Sequence, residues 1–191
     1  MSASPLTLRR LEPALLPDFL AFFDGDAFAD NPKWRSCYCQ YLHVDHRQLR
    51  WAERTERLNR DAACTRIPAG QMQGWLAYHE GRVVGWCSAA PRPLYEALAD
   101  EPDPDAARIG TIGCFVVAQP RRRRGVARAL LDAACAGFRD QGLAWAEAMP
   151  HENAQGDAQN HHGPLALYLG AGFQVHRRDA DGRVIVRRPL V

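Results

Sequence analysis

No stretch of this sequence stays apolar over anything near the roughly 20 residues that cross a bilayer, which excludes a helical membrane span. Its opening, MSASPLTLRRLEP, lacks the basic flank and apolar run of a secretory leader, so a cytoplasmic location is expected. Net charge is almost missing too: 24 Lys and Arg face 22 Asp and Glu, leaving +2. Such a chain has no broad field to draw in nucleic acid, so any anion site must be local. Neither a Walker loop, GxxxxGK[ST], nor the dinucleotide-binding GxGxxG occurs. Internal repeats and low-complexity segments are absent as well.

What is present describes a soluble globular chain, with 47% hydrophobic and 24% charged residues. Its 191 residues suit one compact domain over residues 1–191. The cysteines are Cys37, Cys39, Cys64, Cys87, Cys114 and Cys135. Without an export signal a chain of this size needs no disulfide staples, so reduced thiols are expected.

Periodicity and turn chemistry predict the elements. LTLRRL reads as a first strand, and residues 13–23 as a helix entered through a proline. Residues 24–43 have neither period and read as an aromatic-rich loop, followed by a surface helix over 45–63 with Leu49, Ala52 and Leu58 as its apolar positions. Residues 74–92 carry two β-rich runs about Glu80-Gly81-Arg82, a hairpin. IGTIGCFVV, 109–117, is a strand, 125–141 an amphipathic helix, 143–150 a further strand and 151–163 a polar loop. Pro164 opens a short helix that Gly172 ends, and two strands about Asp181-Gly182 close the chain.

The segment VVAQPRRRRGVARALL carries the functional reading. A strand feeding a glycine turn into a helix makes an anion site from backbone alone, because a helix start offers unpaired N–H groups and a partial positive charge. Gly125 permits close approach, and Arg121, Arg122, Arg123 and Arg124 add charge suited to a pyrophosphate. The rival reading of this run, a nucleic-acid patch, is opposed by the low net charge and by the lack of interleaved aromatics.

At these residues the chain resembles the GNAT acetyltransferase family, whose phosphate loop reads Q/R-x-x-G-x-G/A directly after the fourth strand. Arg122, Gly125 and Ala127 stand at the three defined positions, while Arg123 stands where many members have a further glycine. A second motif lies in register: Tyr168-Leu-Gly-Ala-Gly172-Phe173 matches the family's Y-x-x-x-G-F on the helix after strand five. The resemblance implies an α/β (α+β) GNAT fold: a mixed, mostly antiparallel sheet of six or seven strands flanked by helices, with a splay between strands four and five. It also implies acetyl-CoA as the donor, held by Arg122, Arg123, Arg124, Gly125, Val126 and Ala127. The backbone of Phe115 and Val117 would receive the pantetheine arm. Family members often hold that arm with an asparagine where this chain has His161, next to Asn160.

The implied chemistry is transfer of an acetyl group to a primary amine of a small molecule or peptide, directly and without a covalent enzyme intermediate. Cys114 would be the thiol of a covalent route, but inside a strand it reads as packing. Tyr168 is the expected general acid, a phenol matching a leaving thiol in pKa; packing in the core is its other reading. Where some relatives carry a basic glutamate on strand four this chain has Thr111, so Glu147, His151, Glu152 or a water chain is left as the base. Cys37, Cys39, His43 and His46 have zinc-capable side chains but not the spacing of a structural site, and no metal is expected. Trp34, Tyr38, Tyr41 and Trp51 are read either as core or as an acceptor pocket, and Asp100, Glu101, Asp103 and Asp105 either as a solvated loop or as a lure for a cationic amine. A homodimer is admitted; nucleic acid and membrane are not expected as partners. The second class of function is a CoA-binding sensor or interaction module without turnover.

Overall fold

The computed structural model describes residues 5–156 and 159–190, apart from the side chain of Gln159. Residues 157 and 158 of the expected polar loop lie outside the described residues. The elements in order are β1 (Thr7–Arg10), α1 (Leu16–Asp24), α2 (Glu56–Arg66), β2 (Gly74–His79), β3 (Arg82–Pro91), β4 (Ile109–Val117), α3 (Val126–Asp140), β5 (Trp145–Ala148), α4 (Leu165–Leu169), β6 (Gln174–Arg178) and β7 (Val184–Pro189), with short 3-10 turns between several of them. The strands form one seven-stranded sheet in the order β1-β2-β3-β4-β5-β7-β6. β4 and β5 run parallel and the other pairs antiparallel.

Alternation along the strands supplies both faces of this sheet. Leu76, Trp86 and Val116 face α1, whose Phe19 meets Trp86 edge to face at 5.1 Å between ring centroids. Ala77, Cys87 and Phe115 face the opposite way, onto α3. That helix buries Val126, Leu130, Leu131, Ala134, Cys135 and Phe138, and each large apolar side chain among them contributes about 1.5–3 kcal/mol relative to exposure.

One expected helix is shorter than its pattern. The chain is helical only from Glu56, and residues 45–54 fold as turns with a 3-10 segment at Trp51–Glu53. Two caps decide this. Asp45 accepts from the Arg47 amide at 3.0 Å and closes a local turn, and Thr55 Oγ1 accepts from the Leu58 amide at 3.2 Å, starting α2 there. Leu49 and Leu58 are exposed. α2 instead buries Ala63 and a polar Asn59, which donates to Ser36 O at 2.7 Å and receives Arg54 Nε at 2.8 Å.

The feature that positions the site is an irregularity in β4. Ser88 pairs with Cys114 and Ala89 with Ile112, so Gly113 is an extra residue without a partner on β3. β4 also stops pairing with β5 at this point, since the parallel register ends at Ile112↔Ala148. A side chain at Gly113 would meet Leu42 at 2.8 Å and the Tyr95 hydroxyl at 3.1 Å. The bulge bends β4 away from β5, and residues 114–117 continue with one edge unpaired.

Candidate active site

β4 borders a cavity of about 780 Å³. Ala118 N donates to Val84 O at 3.0 Å, so by alternation the backbone groups of Phe115 and Val117 face the side β5 has left. Both residues line the cavity, as do Arg121, Arg122, Arg123, Gly125, Val126 and Ala127 at its other end. Arg124 does not line it.

The loop between β4 and α3 has a defined local geometry. Gly125 caps α3 in the left-handed region at φ 81°, no side chain caps the helix, and its first turn holds no acid. A side chain added at Gly125 would meet nothing within 4 Å, so the N–H groups of the first turn open onto free space. Arg122 is turned inward: it forms a two-pronged ion pair with Asp30 at 2.6 and 3.0 Å, and its Nε donates to Val117 O at 3.0 Å. The guanidinium beside Asp30 holds that carboxyl below its usual range. Arg122 therefore ties the loop to the 24–43 segment and to the end of β4 while also lining the cavity.

Arg123 stands where a glycine is common in similar loops and takes a left-handed conformation, φ 58°. That conformation costs a non-glycine residue about 1–2 kcal/mol, against about 0.5–1 kcal/mol of extra chain entropy lost by a glycine. Arg123→Gly is accordingly expected to stabilise the protein by about 0.5–1 kcal/mol, measured as a small rise in thermal unfolding temperature.

Two expected bases are elsewhere. Glu147 on β5 is 1% exposed and accepts from Arg92 Nη1 at 2.6 Å and from Arg187 Nε at 2.8 Å. It is held between two guanidiniums and does not line the cavity. Glu152 is exposed, paired with Arg178 at 3.3 Å, and also outside the lining. His151, Asn160 and His161 do line the cavity.

Tyr168 is fully buried, and its hydroxyl donates to the His162 carbonyl at 2.5 Å. Its ring packs against Phe115 and Phe173. Between it and the cavity stands Gly163, at φ 83°, where an added side chain would lie 3.1 Å from the phenol oxygen. The hydroxyl is thus one atomic layer behind the cavity wall, beside the split. Burial pushes it well above the usual tyrosine range, so it stays protonated at neutral pH.

His162, read from sequence first as part of a polar loop with a catalytic or ligand role as the alternative, contributes its ring to the same wall. Nδ1 lies 2.6 Å from the Gly113 carbonyl and must donate to it, which makes Nε2 the acceptor nitrogen. Burial, with His161 beside it, drives the ring down to about 3, so it is neutral. The bulge carbonyl, His162 and Tyr168 form one chain of hydrogen bonds across the gap left by β5. Nothing local in the sequence marks Gly113 as a bulge, and so nothing marked His162 as its partner.

Cys114 also lines the cavity, with its thiol donating to Phe115 O at 3.7 Å. Hydrogen bonding with Cys39 and burial raise it well above the usual thiol range, the wrong direction for a nucleophile. Of the four zinc-capable side chains, His43 turns to Leu94 O at 3.1 Å and His46 to Tyr41 O at 2.9 Å, away from Cys37 and Cys39. Among the described residues no group of three His, Cys, Asp or Glu is placed to hold a metal, and no helix is long and apolar enough to cross a membrane.

The family model for the GNAT acetyltransferase family matches residues 32–162. A search of curated protein sequences gave no match. Among solved structures, the chain resembles an N-acetyltransferase from Staphylococcus aureus Mu50 at TM-score 0.61 and 15% identity, over 98% of this chain and 100% of that one. It resembles the PaiA N-acetyltransferase of Thermoplasma acidophilum, solved with coenzyme A, at TM-score 0.60 and 12% identity, over 97% and 99%. It also resembles a ribosomal-protein-alanine N-acetyltransferase from Brucella melitensis at TM-score 0.57 and 18% identity, over 96% and 99%. At these identities the likeness to each structure is one of fold.

Proposed function

The chain belongs to the GNAT acetyltransferase family, and from that premise we propose that it moves an acetyl group from acetyl-CoA to a primary amine of a small molecule or peptide by direct transfer. One observation carries this reading: the helix-start anion cradle and the unpaired edge of β4 open onto the same cavity. Pyrophosphate takes the N–H groups around Gly125, Val126 and Ala127, with Arg123 adding charge. The pantetheine arm runs along Phe115 and Val117 as an added strand would, which brings the thioester to the bulge.

There the acceptor nitrogen bonds to the acetyl carbon, the C–S bond breaks, and the proton lost by nitrogen is matched by one gained at sulfur. Tyr168, whose hydroxyl lies behind Gly163 beside the split, supplies the proton to the thiolate and regains one from solvent, so that the proton released by the amine balances the one taken up at sulfur. The amine proton leaves past the neutral imidazole of His162 to solvent, along the wall that His151 also lines. The thiol of Cys114, raised by burial and by Cys39, stays protonated and outside the reaction. Residues 1–191 are taken as one domain serving this site.

The test uses the purified chain with acetyl-CoA alone and then with a panel of amines. Calorimetry is expected to show donor binding, and a thiol reagent is expected to show CoA release that depends on the amine. Donor binding with no release above hydrolysis for any amine would support the sensor reading instead, and absence of donor binding would refute both.

A further inference from the structure

Part of the cavity lining is aromatic. Trp34, 38% exposed, lies with its ring centroid 6.0 Å from that of His161. Tyr41, 46% exposed, meets Trp51 edge to face at 5.1 Å. Leu42 and Cys37 line the same cavity. His46 holds Tyr41 in place, its ring tilted against that of Tyr41 at 4.3 Å between centroids while its Nε2 bonds to the Tyr41 carbonyl. Exposed tryptophan and tyrosine facing a common space are a cost to an isolated chain in water, and rigid walls of this kind recognise flat apolar bodies.

Charge narrows the class further. Among the described residues that line the cavity Asp30 is the one acid, and both its oxygens are bonded to Arg122. The acidic loop that might have drawn a cation is spent elsewhere: Asp100 pairs with Arg47, Glu101 with Arg183, Asp103 with Arg187 and Asp105 with Arg108. None of the four lines the cavity. A polyamine or aminoglycoside would bring cationic centres with no carboxylate to receive them, and burying such charges unpaired is costly.

We infer that the acceptor is a monoamine carried on a flat, apolar, preferably aromatic body that packs on the Trp34, Tyr41 and Trp51 side chains lining the cavity, with its amine directed at the bulge. The inference rests on the acetyl-transfer reading and narrows it. Neutral His162 suits such a substrate, because it accepts a hydrogen bond from an uncharged amine and adds no positive charge.

The experiment compares 2-phenylethylamine and tryptamine with spermidine and with a short peptide bearing a free N-terminal alanine, each with saturating acetyl-CoA. The aromatic monoamines are expected to exceed the other two in kcat/KM by about tenfold or more, a rough figure from the worth of aromatic contacts. Trp34→Ala and Trp51→Ala are each expected to raise KM for tryptamine about tenfold with unchanged affinity for acetyl-CoA by calorimetry, which also reports that the variants fold. Preference for spermidine or the peptide, or no aromatic turnover by a chain that binds acetyl-CoA, overturns this inference and leaves the donor reading intact. Failure to bind acetyl-CoA overturns both.

Discussion

Phenylalanine at position 168 is expected to lower kcat by about 10²- to 10⁴-fold, the usual contribution of one positioned acid, with affinity for acetyl-CoA unchanged. The phenol is buried behind Gly163 at the split and bonded to His162. Removing its oxygen therefore takes away one hydrogen bond, about 1 kcal/mol of stability, while the ring keeps its packing against Phe115 and Phe173. Steady-state kinetics together with donor calorimetry separate the two roles of this residue. Unchanged turnover with unchanged donor affinity would remove the acid assignment and leave Tyr168 as a packing residue that steadies the His162 peptide.

The second large effect falls on Glu147 and is one of stability. Glu147 joins Arg92, at the end of β3, to Arg187 on β7, and Arg187 also pairs with Asp103. Arg92 is 6% exposed. Glu147→Ala removes the closest carboxylate from the buried Arg92 guanidinium, which keeps only the Glu101 carbonyl at 3.0 Å and the Glu101 carboxylate at 3.9 Å, and is expected to destabilise the protein by about 3 kcal/mol, the low end for half of a buried ion pair. Urea unfolding monitored by tryptophan fluorescence measures this as a fall in midpoint. Glu147→Gln, which keeps the shape and one acceptor, separates structure from catalysis: a folded variant with wild-type kcat is expected. A folded variant with turnover collapsed and an alkaline-shifted pH profile would restore Glu147 as the base.

The regular elements were legible because their signals are local. The apolar run 109–117, the glycine turn at 125 and the 3.6-residue period after it all lie within a few residues of the structure they encode, and β4 and α3 follow them closely. The turn that opens onto the cavity at Gly125 was legible for the same reason. What the sequence concealed depends on distant partners. Arg122 finds Asp30 across 92 residues and Glu147 finds Arg92 across 55, ion pairs that no local pattern marks. Residues 45–54 show a helical spacing of apolar positions that side-chain caps at Asp45 and Thr55 override. The aromatics of 24–51 divide as no pattern foretold: Tyr38 is 1% exposed in the core, while Trp34 and Tyr41 face the cavity.

The short parallel register between β4 and β5 also has a mechanical meaning. Strands β1 to β4 and strands β5 to β7 are continuous within themselves, but the two groups join through only four paired positions, Ile109–Ile112 with Trp145–Ala148. That seam is no longer than the four-position pairings of β1 with β2 and of β5 with β7, but it is the one that joins the two groups, so a force that pries them apart acts on it. The single residue inserted at Gly113 sets the length of the seam. A ligand lying along the open edge of β4 would bridge the two groups beyond the point where their own pairing stops, and so would act as a splint across that junction.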